Sequence, residues 1–237
     1  MGRSADPATL VLCAMLPQAF PRGARAAWLA DVGRARVPVT WAADVDLLGE
    51  VGAAAGGATP AMALALEPAW LDSRSTLRRM IVAARQAVAG LETAVLRGPR
   101  PLSHAAVLAE EGIRVVVVDT PDDSRRGSRR PAPAGWRCRN PVWGLWEVQA
   151  EPRREAGLVR WLLHGSMPRP RPGSLHVLQA GRVAAERPVS GRLDRWMAWA
   201  ERRIAGGRLR VATPDELPDL VARGGQAPVS GSVLKAA

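Results

Sequence analysis

Short apolar runs alternate with longer amphipathic segments along nearly the whole chain, and few folds accommodate that rhythm. A strand covered on both faces reads as a continuous apolar run, and an amphipathic helix between two such strands returns the chain to the same end of a parallel sheet. The candidate strands are residues 9–15, 37–41, 61–66, 93–97, 113–118, 142–148, 174–178 and 208–212, with 113–118 the clearest. Seven or eight βα units in a chain of 237 residues fit a closed α/β barrel better than an open doubly wound sheet. The expected fold is therefore α/β, a single distorted (β/α) barrel of TIM-barrel-like architecture spanning residues 1–237.

The intervening segments carry helix punctuation. In residues 73–91 the apolar side chains Leu77, Met80, Ile81, Ala84 and Val88 share one face while Arg78, Arg79 and Arg85 lie elsewhere, and Asp72 or Ser73 is placed to cap the first turn. Leu193, Trp196, Met197, Ala200 and Ile204 form a second such face, ended by Gly206 and Gly207. Thr213, Pro214, Asp215 and Glu216 supply a cap, a proline for the first helical position and two acids for a helix start. Two stretches break the rhythm: 121–140, with six arginines and two of its prolines at 131 and 133, and the Pro/Arg run 167–173. Both read as exposed loops, and 224–237 as a flexible tail.

Charge and cysteine usage bound the function classes. The net charge is +11 and Lys235 is the only lysine, so the excess is arginine, and partners bearing phosphate or carboxylate groups suit it. No apolar run approaches the length of a membrane-spanning helix. The start of the chain loosely imitates a secretion signal, but Asp6 and the weak basic lead favour a buried first strand. Cys13 and Cys138 are far apart in sequence and unlike a zinc ribbon or disulfide scaffold, which makes a reducing cytoplasm the default location. Phosphate-binding glycine loops and a Gly-x-Ser-x-Gly elbow are missing from the sequence. Ser103 and His104, expected within one helix, point in different directions.

In a barrel of this kind the chemistry sits where strands end. The first candidate strand runs into Cys13, Ala14 and Met15, the second into Trp41 and then Asp44 and Asp46, and the third into Glu67, Pro68 and Trp70. Arg97 ends the fourth, Asp119 the fifth, Trp143, Trp146 and Glu147 mark the sixth, and His176 the seventh. Nine tryptophans stand against one phenylalanine and no tyrosine. Trp41, Trp70, Trp143 and Trp146 either stack on the apolar face of a sugar ring or fill core, whereas Trp28, Trp161, Trp196 and Trp199 fall on helices and fill core.

The order of these features resembles the polysaccharide deacetylase family, over roughly residues 9–221. The resemblance rests on Val37-Pro38-Val39-Thr40-Trp41, on Arg97 and Pro99, on Leu108, Gly112 and Ile113, on Leu175-His176, and on Val211-Ala212-Thr213-Pro214. It implies a distorted seven-stranded α/β barrel that removes acetyl groups from N-acetylated sugars, with Arg97 orienting a carboxylate and His176 acting as general acid. Glu67, Trp41, Trp70, Asp119, Trp143 and Trp146 are then the candidate substrate contacts. The departures are specific. Leu12-Cys13-Ala14-Met15 stands where the family carries paired aspartates, and residues 65–70 hold no histidine where it carries two. Only three histidines exist, His104, His164 and His176, none spaced four apart. No cofactor is expected, and a divalent metal such as zinc only if the family activity persists. The sequence thus suggests a protein that binds or acts on N-acetylated carbohydrate and is degenerate for metal-dependent hydrolysis, with enzyme activity left open. The alternative is a non-catalytic binding or scaffold protein whose Arg-rich loop, from Arg125 to Arg139, engages an anionic polymer or an acidic partner protein. Apart from either reading, Arg97 can simply pair with another acid such as Glu67 or Asp119, and His176 can be a hydrogen-bonded core residue.

Overall fold

The computed structural model describes residues 6–16, 30, 35–54, 61–98, 102–118, 136, 138–151, 170–180 and 190–224. Eight strands lie side by side in the order β6, β7, β5, β4, β3, β2, β1, β8, and a ninth, β9, pairs with β1 as well. Their ranges are β1 Ala8–Met15, β2 Thr40–Ala43, β3 Ala61–Leu66, β4 Thr93–Leu96, β5 Val115–Val118, β6 Cys138–Val142, β7 Leu145–Gln149, β8 Leu175–Ala180 and β9 Leu209–Val211. Every pairing is parallel except that of β6 with β7. The helices are α1 Val45–Ala54, α2 Arg74–Ala87, α3 Ala105–Glu110, α4 Ser190–Ala205 and α5 Leu217–Gly224, with short 3-10 turns at Pro68–Asp72 and Pro214–Glu216.

The sheet is a curled half-barrel and not the closed barrel expected from the sequence. The physical reason lies at the sixth expected strand, 142–148: Val142 ends one strand, β6, that begins at Cys138 within the stretch expected as an exposed loop, Trp143 and Gly144 turn, and a second strand, β7, follows. Gly144 takes φ +84 there, so the chain doubles back and β6 occupies the outer edge of β7, from Cys138 opposite Val148 to Val142 opposite Leu145. With that edge taken, β8 pairs with β1 and not along β7, in register from Thr9 with Leu175 to Ala14 with Ala180. Just beyond β7, Glu151 N donates to Val177 O at 2.8 Å. That backbone bond joins the two ends of the sheet across the seam.

Alternation along each strand sorts side chains to two faces. Leu10, Leu12 and Ala14 of β1 pack with Leu48 of α1, Leu77 and Ile81 of α2 and Leu108 of α3 on the helix-covered convex face. Val11, Cys13 and Met15 pack with Ala42, Ala63, Ala65, Val95 and Val117 on the concave face. Every residue of β1 is buried, which suits a central strand with β8 on one flank and β2 and β9 on the other. Ser73 caps α2 by accepting from Thr76 N, and Thr213 and Glu216 form a reciprocal capping box, as their positions in the sequence suggested. His104 departs from expectation. It stands at the N-cap of α3 with φ 54, a left-handed conformation outside any right-handed helix. Among the described residues no helix is long and apolar enough to cross a membrane.

Candidate functional site

Three consecutive parallel strands, β2, β3 and β4, are each followed at once by a charged residue, Asp44, Glu67 and Arg97. Each lies two positions beyond a concave-face residue, Ala42, Ala65 and Val95, so strand alternation sends all three toward the concave side. Local structure holds their backbones. Asp44 O accepts from Leu47 N and Leu48 N at the start of α1, Glu67 O accepts from Trp70 N in the following 3-10 turn, and Arg97 N donates to Leu66 O.

The Arg97 guanidinium joins the cluster. Nη1 donates to Glu67 Oε1, while Nη2 donates to Leu16 O at 3.0 Å and stands 3.1 Å from Asp44 Oδ1. The Asp44 approach is charge against charge without an aligned hydrogen bond, leaving Oδ1 buried and unsatisfied. Side-chain exposures of 11% for Arg97, 16% for Asp44 and 19% for Glu67 place the cluster at the mouth and largely out of water. Burial raises the Asp44 pKa above the ordinary carboxylate value; Arg97 opposes the shift, and the charges of Glu67 and Asp46 add to it. One cation against two carboxylates leaves a net negative patch that favours hydrogen-bond donors. Two further oxygens lack partners, Thr40 Oγ1 and Gln179 Oε1. Both residues are paired in register with Cys13, which puts them deeper on the concave face.

The remaining sequence candidates fall elsewhere. His176 is the second residue of β8 and not its last, and it shares a face with Leu10 and Leu178, the convex one. Its partner in register is Leu10, whereas Arg97 bonds Leu16, so the two positions are separated by about 20 Å along the strand direction at about 3.3 Å per residue. Trp41 is 1% exposed in the convex core, and Trp70 packs half-buried against that core. Trp146 packs against the concave core low on β7, opposite Val115, and Trp143 is 94% exposed at the tip of the β6–β7 hairpin. Cys13 is sealed on the concave side with its thiol pushed up to about 12 by burial, so it forms no nucleophile pair with His176 across the sheet. Asp119, His164 and most of the Arg-rich segment lie outside the described residues; at its end Cys138 is buried and Arg139 binds Glu147 at 2.6 Å within the hairpin. Asp44 is the cluster member that sequence reasoning passed over. Its signal was available, an acid directly after a strand, but Asp46 two positions on is equally acidic.

A divalent cation does not suit this cluster. The acceptors it would need are already opposed by Arg97, and among the described residues no three His, Cys, Asp or Glu side chains gather as a ligand set.

No family model matches the chain, and no curated protein matches it in sequence. A solved structure does match in fold. The chain is similar to the 4-alpha-glucanotransferase from Thermococcus litoralis with a TM-score of 0.55 and 13% identity, covering 90% of this chain and 40% of that one. The likeness is one of fold. This chain spans well under half the length of that enzyme.

Proposed function

We propose that the chain binds or acts on carbohydrate at the mouth of its half-barrel, and that the polar contacts come from Asp44, Glu67 and Arg97. The observation that carries this reading is the cluster itself: three charged side chains from the C-terminal ends of three adjacent parallel strands, where folds of this kind keep their ligands. Sugar hydroxyls donate and accept, which matches a guanidinium set between two carboxylates, one of them with an unsatisfied oxygen. The fold likeness to a glucanotransferase and the resemblance to deacetylases of N-acetylated sugars both favour a saccharide over other polar ligands. The Arg97 charge disfavours a hydrolytic metal between these acids, so the reading is one of binding or of metal-independent chemistry.

Titration calorimetry of the full chain with N-acetylated and unmodified oligosaccharides tests the proposal. Binding of one series, weakened about tenfold or more in Arg97→Ala, is the expected outcome, since a charge-assisted hydrogen bond contributes about 1.5–3 kcal/mol. Affinity equal in wild type and in a folded Arg97→Ala variant, or none for any saccharide, rejects it.

A further inference from the structure

A second polar cluster lies away from the mouth, at the seam. Arg171, Pro172, Gly173 and Ser174 form a β-turn in which Ser174 N donates to Arg171 O at 3.0 Å, and Gly173 adopts φ +71. Proline in the second position and a left-handed glycine in the third are the requirements of a type II turn. The turn delivers Ser174 immediately before β8, and the two-residue period of extended chain puts Ser174 and His176 on one face. Ser174 Oγ is 2.9 Å from His176 Nε2. The other ring nitrogen, Nδ1, is 2.6 Å from Glu151 Oε1, and Glu151 is the residue whose backbone N–H crosses the seam to Val177. Hydroxyl, imidazole and carboxylate therefore form one hydrogen-bonded line.

The direction of each bond follows from the groups. An ionised carboxylate only accepts, so in the neutral ring the proton sits on Nδ1 and the Nε2 lone pair faces the hydroxyl. The turn also engages the hydroxyl: Ser174 Oγ accepts from Arg171 N at 3.2 Å and has a rival acceptor in Arg171 O at 2.6 Å. With the ring protonated both nitrogens donate and the hydroxyl turns to Arg171 O. Loss of the Nε2 proton draws the hydroxyl back to the ring by rotation of one hydrogen, with no heavy atom displaced. Ser174 is half-buried, the His176 side chain is 13% exposed and that of Glu151 36%, so among the described residues water reaches the line mainly at its Glu151 end.

We infer that Ser174 is a nucleophile, His176 its general base and Glu151 the positioning carboxylate of an acyl-transfer site that takes small acyl esters. Ser174 Oγ attacks the ester carbonyl carbon as its proton passes to His176 Nε2. The carbon–oxygen bond to the alcohol breaks, the alkoxide takes the proton back from Nε2, and an acyl-serine remains. Water, deprotonated by the same nitrogen, then adds to the acyl-serine carbonyl; the bond from the acyl carbon to Ser174 Oγ breaks, Nε2 returns its proton to Oγ, and the carboxylic acid leaves. The backbone N–H groups of Gly173 and Ser174 are committed to Asp6 O and Arg171 O, so the turn adds little stabilisation for an oxyanion. A good leaving group compensates, which selects esters over amides.

The test uses the full chain with a fluorophosphonate probe and with p-nitrophenyl acetate, read by intact mass and peptide mapping. The expected result is one adduct per chain on Ser174, formed faster as pH rises and the imidazole loses its proton. Ser174→Ala abolishes the adduct, His176→Gln slows it about 100-fold or more, and Glu151→Gln displaces the pH profile while Glu151→Asp largely restores it. Absence of a Ser174 adduct overturns the inference, as does a labelling rate in wild type that is independent of pH. Labelling of a folded His176→Gln variant at the wild-type rate overturns it too. The wild-type pH dependence decides the matter even if a histidine variant does not fold.

Discussion

Arginine meets glutamate in two quite different settings in this molecule. At the mouth, Arg97 is held between Glu67 and Asp44 with none of the three side chains more than 19% exposed. On the outer surface, Arg74 and Arg78 of α2 reach Glu110 of α3, and Arg78 also bonds Glu111 just after it through Nε at 2.6 Å. Arg74, Arg78 and Glu110 there are 43–57% exposed. The contacts are alike in chemistry and differ in water. An exposed pair exchanges one set of good hydrogen bonds for another, whereas a desolvated one cannot lose a partner without stranding a charge. The surface pairs join two helices at little energetic consequence; the mouth cluster is maintained against a desolvation cost.

Three substitutions sharpen that contrast. Arg97→Ala leaves two carboxylates facing each other in a largely dry mouth and is expected to destabilise the fold by about 3 kcal/mol at neutral pH, measured by urea denaturation. A loss under about 1 kcal/mol would mean that water already screens the mouth. Asp44→Asn acts in the opposite direction. The folded-state pKa of Asp44 is raised, so the folded chain holds its proton to higher pH than the unfolded chain, and stability falls as pH rises from about 4 through the folded value. The cost of ionised Asp44 is fully present above that value, and Asp44→Asn is expected to raise Tm at pH 8 by an amount that vanishes below about pH 4. A Tm gain constant with pH would break the assignment. Arg78→Ala should cost about 0.5 kcal/mol or less and lose even that in high salt.

Much of the local architecture could be read in advance. The apolar run at 113–118 contains β5 Val115–Val118, the periodicity of 73–91 contains α2, and Ser73, Thr213 and Glu216 cap where their side chains predict. These features depend on neighbours within a few residues, and the physics that sets them is local. A partner for Arg97 in Glu67 or Asp119 is also legible in the sequence, as acids at the ends of strands, and Glu67 is a partner in the structure. The hairpin of β6 and β7 was missed because Cys138-Arg139-Asn140, which begin β6, end an arginine- and proline-rich stretch that reads as an exposed loop, while 142–148 reads as one strand. Missing it hid the consequence, since the extra edge strand is what keeps the sheet from closing.

His176 shows where such reading stops. Its residue type, its strand and its proximity in sequence to Ser174 are all visible in the chain, yet nothing there says that Glu151 will lie 2.6 Å from its ring or that Arg97 will not. Element type, caps and the alternation of faces are written in the order of residues, because they arise from backbone preferences and side-chain periods a few positions long. Which face turns inward, how the strands register and where the seam falls come from long-range pairing, in which a shift of one residue exchanges the two faces of a strand. The mouth cluster and the seam cluster are products of that register, and so belong to the folded molecule rather than to any segment of its chain.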